Sequence, residues 1–290
     1  GAAAGPGVVD RRRCAVGGLL DSACTLDSGT YPMMHNVAKA RLKRGEIVHG
    51  CFVRYPDATL AEVLCLQPWD FLLFDGEHGT IEPRDCEHLV RAAELRGVTP
   101  LVRVPANQPA IILRYLDTGA YGLHVPWVNS AAEAEAAVRA VKYQPRGQRG
   151  LAAVRAADFG QTMPLSDYVA RANAETLVVL HVETAQAVAA VSDMLAIDGV
   201  DVLFIGPTDL SHSLGYPGQP QHPEVQAVMQ QIAAQVAQSD KALGILVQNA
   251  DAAREWITRG ARYIATGVEA LLAPAMRNYL ERVRGVPQGR

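Results

Sequence analysis

Residues 177–211 read LVVLHVETAQAVAAVSDMLAIDGVDVLFIGPTDLS, and this stretch decides the fold. Two apolar, β-branched runs, 177–183 and 202–206, flank an Ala-rich segment with helical spacing of its apolar positions. Two strands joined through a helix read as a parallel βαβ unit, because parallel neighbours need a crossover rather than a tight turn. Each strand is followed directly by polar residues: Glu183 closes the first, and Gly206, Pro207, Thr208 and Asp209 follow the second.

Working outward, the same alternation recurs along the chain. Strands are predicted at 47–53, 71–75, 100–104, 122–126, 177–183, 202–206, 243–247 and 263–267, each followed by a helical pattern such as 131–142 or 224–238. Eight units favour closure, so the predicted fold is α/β, a (β/α)8 TIM barrel. Residues 36–44 read as an extra N-terminal helix that ends at Gly45 and plugs the barrel floor. The Gly-, Ala- and Ser-rich residues 1–35 lack either periodicity and are expected to form a flexible tail, with Met33 or Met34 as a candidate native start; residues 36–290 form the barrel domain. The longest irregular connection, 143–167, is expected to serve the active site, as long loops on this scaffold often do.

Composition narrows the partner. With 27 basic against 30 acidic residues there is no cationic stripe for nucleic acid or an anionic membrane surface, so a small molecule is expected. The five cysteines form no C-x-x-C pair and all lie in the first third of the chain, so neither a thiolate metal site nor a disulfide framework is indicated, which fits a reducing cytoplasm. No apolar run approaches the roughly 20 residues that span a bilayer. No G-x-G-x-x-G follows the first strand, there is no Walker A run, and no lysine stands at a strand end where a Schiff base would form.

Active sites of such barrels lie at the C-terminal ends of the strands. There the sequence places Asp75, His78, Arg103, His181, Glu183, Asp209 and Glu269. Adjacent parallel strands lie about 4.8 Å apart, so Glu183 and Asp209 can reach one ion, for which two hard oxygens favour Mg2+ or Mn2+, with Co2+ or Zn2+ also compatible. The same spacing equally suits two helix caps. Gly206 stands where backbone approaches a ligand, and the Thr208 and Asp209 amides can bind a carboxylate; Gly-Pro is also ordinary turn chemistry. Arg103, costly to bury alone, offers a fork for a carboxylate or enolate oxygen, or else a structural ion pair. Asp75 and His78 look like an acid-oriented imidazole, a device for general acid–base work near neutral pH.

Four motifs, FDGEHG at 74–79, LVRVP at 101–105, HVET at 181–184 and GPTDLS at 206–211, together resemble the metal-dependent class II pyruvate aldolases of the HpcH/HpaI group. The likeness runs from about Asn36 to Arg284. It implies that Glu183 and Asp209 ligate a divalent metal, that Arg103 holds a 2-oxo acid and stabilises its enolate, and that His78 with Asp75 manages protons. It further implies cleavage of a 4-hydroxy-2-oxo acid to pyruvate and an aldehyde, and a homohexamer with exchanged C-terminal helices. On the same barrel the alternatives are an oxaloacetate decarboxylase of the macrophomate-synthase kind, a citrate-lyase-like enzyme, or a silent keto-acid-binding barrel.

Two places depart from the pattern of the group. His181 stands where Gln is usual, two residues before Glu183 and so on the same strand face, in reach of the metal's first or second shell; an altered metal preference is expected. Arg54, after Phe52, adds a positive charge at the mouth. With Trp127 and the 146–155 loop it is expected to shape a pocket for an anionic or polyhydroxylated acceptor.

Overall fold

The computed structural model describes residues 34–285; of the tail expected at 1–35, residues 1–33 lie outside them. Eight parallel strands, β1 (Val48–Val53), β2 (Phe71–Asp75), β3 (Thr99–Arg103), β4 (Gly122–Val125), β5 (Leu177–Val182), β6 (Val202–Ile205), β7 (Ala242–Leu246) and β8 (Tyr263–Gly267), close into a barrel in chain order. Every expected strand is present within about one residue of its predicted ends. β1 pairs with β8 from Val48↔Tyr263 to Phe52↔Gly267, which seals the cylinder and leaves no open edge.

Period-two alternation assigns each strand residue to one of two cores. Outward residues such as Val178, Leu180 and Val182 pack beneath the helices. Inward residues such as Leu177, Val179, Val202, Phe204 and Tyr263 fill the barrel. Both sets are buried, and each such Val, Leu or Phe contributes about 1.5–3 kcal/mol relative to exposure. Extending the inward parity to the strand ends aims Arg54, Asp75, Arg103, His181 and Glu183 into the barrel mouth. Gly50 keeps this parity on β1 with no side chain: a Cβ there would lie 2.0 Å from the Phe71 ring, which occupies the space.

The expected extra helix is Val37–Lys43, N-capped by Asn36, whose side chain accepts the Lys39 amide. Its Ala38 and Leu42 join the interior cluster, and Lys39 Nζ meets Asp201 at 2.9 Å, so this helix closes the floor. The connection at 143–167 overturns an expectation. It follows the helix Ala131–Val141, so it emerges at the floor, opposite the mouth. There Arg149 pairs with Asp117 at 2.8 Å, Arg155 pairs with Glu94, and Arg146 pairs with Asp198 at 3.0 Å. Within one chain this segment braces helix C-termini and does not shape the acceptor pocket.

Candidate active site

A cavity of about 150 Å3 opens at the C-terminal ends of the strands, lined among others by Arg54, His78, Arg103, His181, Glu183 and Asp209. Residues spread over more than 150 positions of sequence thus share one small space, large enough for an acid of a few heavy atoms.

Strand register builds one wall. Asp75 on β2 lies beside Arg103 on β3, which lies beside His124 on β4. Arg103 donates Nε–H to Asp75 Oδ1 at 2.9 Å and Nη2–H to Oδ2 at 2.6 Å, a bidentate fork with both groups buried. Burial would raise the Asp75 carboxyl, but the Arg103 hydrogen bonds and charge outweigh it and hold it below the ordinary carboxylate value. Arg103 Nη1 also lies 2.9 Å from Glu77 Oε2, an ion pair without hydrogen-bond alignment.

Asp75 meets His78 otherwise than expected. Its Oδ1 accepts the backbone N–H groups of Glu77 and His78 at 3.1 and 3.2 Å, and no bond links it to the imidazole. The carboxylate therefore orders the FDGEHG turn and Arg103, leaving the exposed His78 ring free at the cavity rim.

Glu183 ends the inward row of β5. Its Oε1 accepts the Trp127 backbone N–H at 2.7 Å, and its Oε2 lies 3.1 Å from His181 Nδ1. Desolvation pushes its carboxyl up, yet His181, the Trp127 amide and Arg103 together bring it below the ordinary value, so the group is held as an anion. The capping alternative falls to a neighbour: Thr184 caps the helix Ala185–Ala189 through its own hydroxyl. Asp209 sits in the first turn of the helix Pro207–Ser213, whose N-cap Gly206 makes no side-chain cap bond. Gly206 is required by close approach, since a Cβ there would stand 2.9 Å from Glu183 Oε2.

The donor set fits a hard divalent cation: two carboxylates, one of them held ionised, line the same cavity. Among the described residues no cluster of three or more His, Cys, Asp or Glu forms a complete cage, so other oxygen ligands would come from water and substrate. His181 has both ring nitrogens engaged, Nδ1 by Glu183 and Nε2 by His124 Nδ1 at 2.9 Å.

Three residues escaped the sequence reading. Glu77 lies within the FDGEHG motif and has a carboxyl raised by burial and by Glu183, despite Arg103. His124 and Tyr263 lie deeper in the barrel, joined at 2.7 Å. Inward parity at His124 was the available signal. Trp127, placed at the mouth as expected, adopts φ +55° and donates its indole N–H to Glu77 Oε1 at 2.9 Å. That left-handed backbone, strained for an aromatic residue, lets its amide reach Glu183. Arg54 lies 3.3 Å from Asp75 and 3.4 Å from Glu269, so part of its charge at the mouth is already matched.

Comparison with known proteins places the barrel in a family. The family profile "HpcH/HpaI aldolase/citrate lyase" matches residues 49–274. A "4-hydroxy-2-oxo-heptane-1,7-dioate aldolase" of Escherichia coli is 39% identical over 241 residues, covering 82% of this chain and 91% of the relative. A "Hydroxypyruvate/pyruvate aldolase" of Roseobacter denitrificans is 37% identical over 240 residues, covering 82% and 93%. The crystal structure of a family protein from Burkholderia cenocepacia J2315 superposes with a TM-score of 0.82 at 36% identity, covering 86% of this chain and all of that one. With the profile spanning most of the barrel and relatives this similar across it, the chain belongs to the HpcH/HpaI aldolase/citrate lyase family.

Proposed function

We propose that this chain is a metal-dependent lyase that cleaves a 4-hydroxy-2-oxo acid to pyruvate and an aldehyde, reversibly, as the names of its relatives suggest. The observation that carries the reading is one cavity holding two carboxylates, Glu183 and Asp209, opposite a buried guanidinium, Arg103, with the His78 imidazole at the rim. Glu183 and Asp209 hold a divalent cation, Mg2+ or Mn2+ before Co2+ or Zn2+, which when bound supplies Lewis acidity for the charge of an enolate. Arg103 keeps N–H groups beyond those given to Asp75 and Glu77, and these bind the oxo acid and its developing oxyanion.

Gly206 and Pro207 bring backbone close to the substrate, and the first-turn amides of Thr208 and Asp209 receive its carboxylate. His78 exchanges a proton with the substrate through water, while Asp75 acts on it only by fixing the turn that carries it. His181 supports Glu183 and lines the substrate cavity.

The assembly is a homohexamer in the cytoplasm. The closing helix Val268–Arg284 leaves Leu271, Leu272, Met276, Tyr279, Leu280 and Val283 exposed, an apolar face of the kind that subunits exchange. The three described cysteines, Cys51, Cys65 and Cys86, are buried free thiols, consistent with a reducing compartment, and no described helix is long and apolar enough to cross a membrane.

The test is pyruvate release from a racemic 4-hydroxy-2-oxo acid by EDTA-stripped protein, with and without Mg2+, Mn2+ or Co2+, beside a Glu183→Ala control. Metal-dependent release that the control abolishes is the expected result; folded protein that releases nothing with any of the metals refutes it.

A further inference from the structure

We infer that Tyr263, His124 and His181 are positioning residues, forming a one-way hydrogen-bond chain inside the barrel that orients the Glu183 carboxylate toward the cavity. The inference rests on the reading of Glu183 as a cation ligand, and it adds His124 and Tyr263, two side chains outside the cavity lining, behind His181.

The links are Tyr263 Oη to His124 Nε2 at 2.7 Å, His124 Nδ1 to His181 Nε2 at 2.9 Å, and His181 Nδ1 to Glu183 Oε2 at 3.1 Å. All four residues are 2% exposed or less. Aromatic contacts fix the rings: Phe71 stacks on Tyr263 at 4.3 Å between centroids, Phe204 stacks on His181 at 4.9 Å, and Phe52 meets His124 edge-on at 5.9 Å.

Proton counting sets the direction. An ionised carboxylate only accepts, so His181 Nδ1 carries a hydrogen, and in a neutral imidazole its Nε2 then accepts. His124 must donate from Nδ1, its Nε2 accepts in turn, and the Tyr263 hydroxyl donates. Every donor and acceptor is used once. Burial strongly favours the neutral form of His124 and keeps the Tyr263 phenol protonated.

The competing arrangements each fail at an end. A reversed chain would set the His181 Nδ1 lone pair against Glu183 Oε2. An imidazolium at His181 would donate both ways, turn His124 around, and leave the Tyr263 proton without an acceptor in a fully buried site. The Trp127 amide fixes Oε1 and the chain fixes Oε2 from the barrel interior, so the second lone pairs of both oxygens remain for the cation.

Long-range 1H–15N correlation on metal-free, 15N-histidine-labelled protein tests the direction. The His181 signals are assigned by their loss in His181→Gln. Both His124 and His181 are expected to carry a hydrogen on Nδ1; a ring at either position with its hydrogen on Nε2 alone overturns the proposal, with no variant needed. Mn2+ titration tests the role. His181→Gln retains an N–H donor for Glu183 and should bind Mn2+ within about threefold of the parent, whereas His181→Leu should bind about tenfold or more weakly, as for lost support of a ligand. Parent-like affinity in the Leu variant overturns the positioning role. Neither readout requires turnover, so absence of aldol cleavage would refute the reaction and leave this chain standing.

Discussion

Asp75→Asn isolates the electrostatics of the site in one atom's change. The shape is nearly unaltered, but the buried Arg103 guanidinium loses the anion that receives Nε–H and Nη2–H. Removing one partner of a buried pair costs roughly 3–5 kcal/mol, since the survivor keeps its desolvation penalty. Glu77, 2.9 Å from Nη1, remains as counter-charge, and the new amide oxygen still accepts, which places the cost near the lower end, about 3 kcal/mol. In a domain of this size each kcal/mol moves Tm by about 2–4 °C, so thermal unfolding of metal-free protein should shift down by roughly 6–12 °C. Arg54→Ala serves as control: it also removes an ion pair with Asp75, at 3.3 Å, but a partly exposed one worth about 0–1 kcal/mol. A Tm for Asp75→Asn within about 2 °C of the parent, or no lower than that of Arg54→Ala, would refute the assignment of Asp75 as the principal partner of Arg103.

Gly206→Ala places a Cβ 2.9 Å from Glu183 Oε2, so Glu183 must turn aside; Mn2+ affinity measured by calorimetry should drop by roughly tenfold, and unchanged affinity would contradict the close approach. Lys142 is buried at the floor with its amine lowered to about 7 by desolvation and then by the neighbouring Lys39 charge. The unfolded chain therefore holds its proton where the folded chain has released it, so between pH 7 and 9 stability should rise with pH by roughly 2 kcal/mol at most; denaturant titrations of Lys142→Met should lack that component. Glu77 has the opposite sign. Its raised carboxyl favours the folded state below the ordinary glutamate value of 4.5 and forfeits that advantage as pH climbs, so the stability of Glu77→Gln relative to the parent should increase above that pH. On the closing helix, Leu280→Glu should lower the mass seen in sedimentation velocity without changing the circular dichroism of the barrel; an unchanged mass would exclude that face from assembly.

The barrel is legible in the amino-acid order alone. Eight β-branched runs spaced by helical patterns carry their own periodicity, and period two within each run already states which side chains face inward. That parity made Arg103, His181 and Glu183 legible as one group, with Asp209 joining them just after the sixth strand, because a strand end inside a barrel is a place as well as a position. What tertiary structure alone decided is which partner each group takes. Asp75 and His78 are three residues apart, yet the Asp75 carboxylate bonds Arg103 across the sheet and only the backbone of His78, since parallel register sets Asp75 directly beside Arg103. The 143–167 connection is long in sequence, but its place after a helix rather than a strand puts it on the floor. The Tyr263–His124–His181–Glu183 chain spans 139 positions and joins three strands, and no local pattern announces it. Barrel closure brings β4, β5 and β8 together through the interior, where the buried ring nitrogens and phenol of these residues find their partners on other strands.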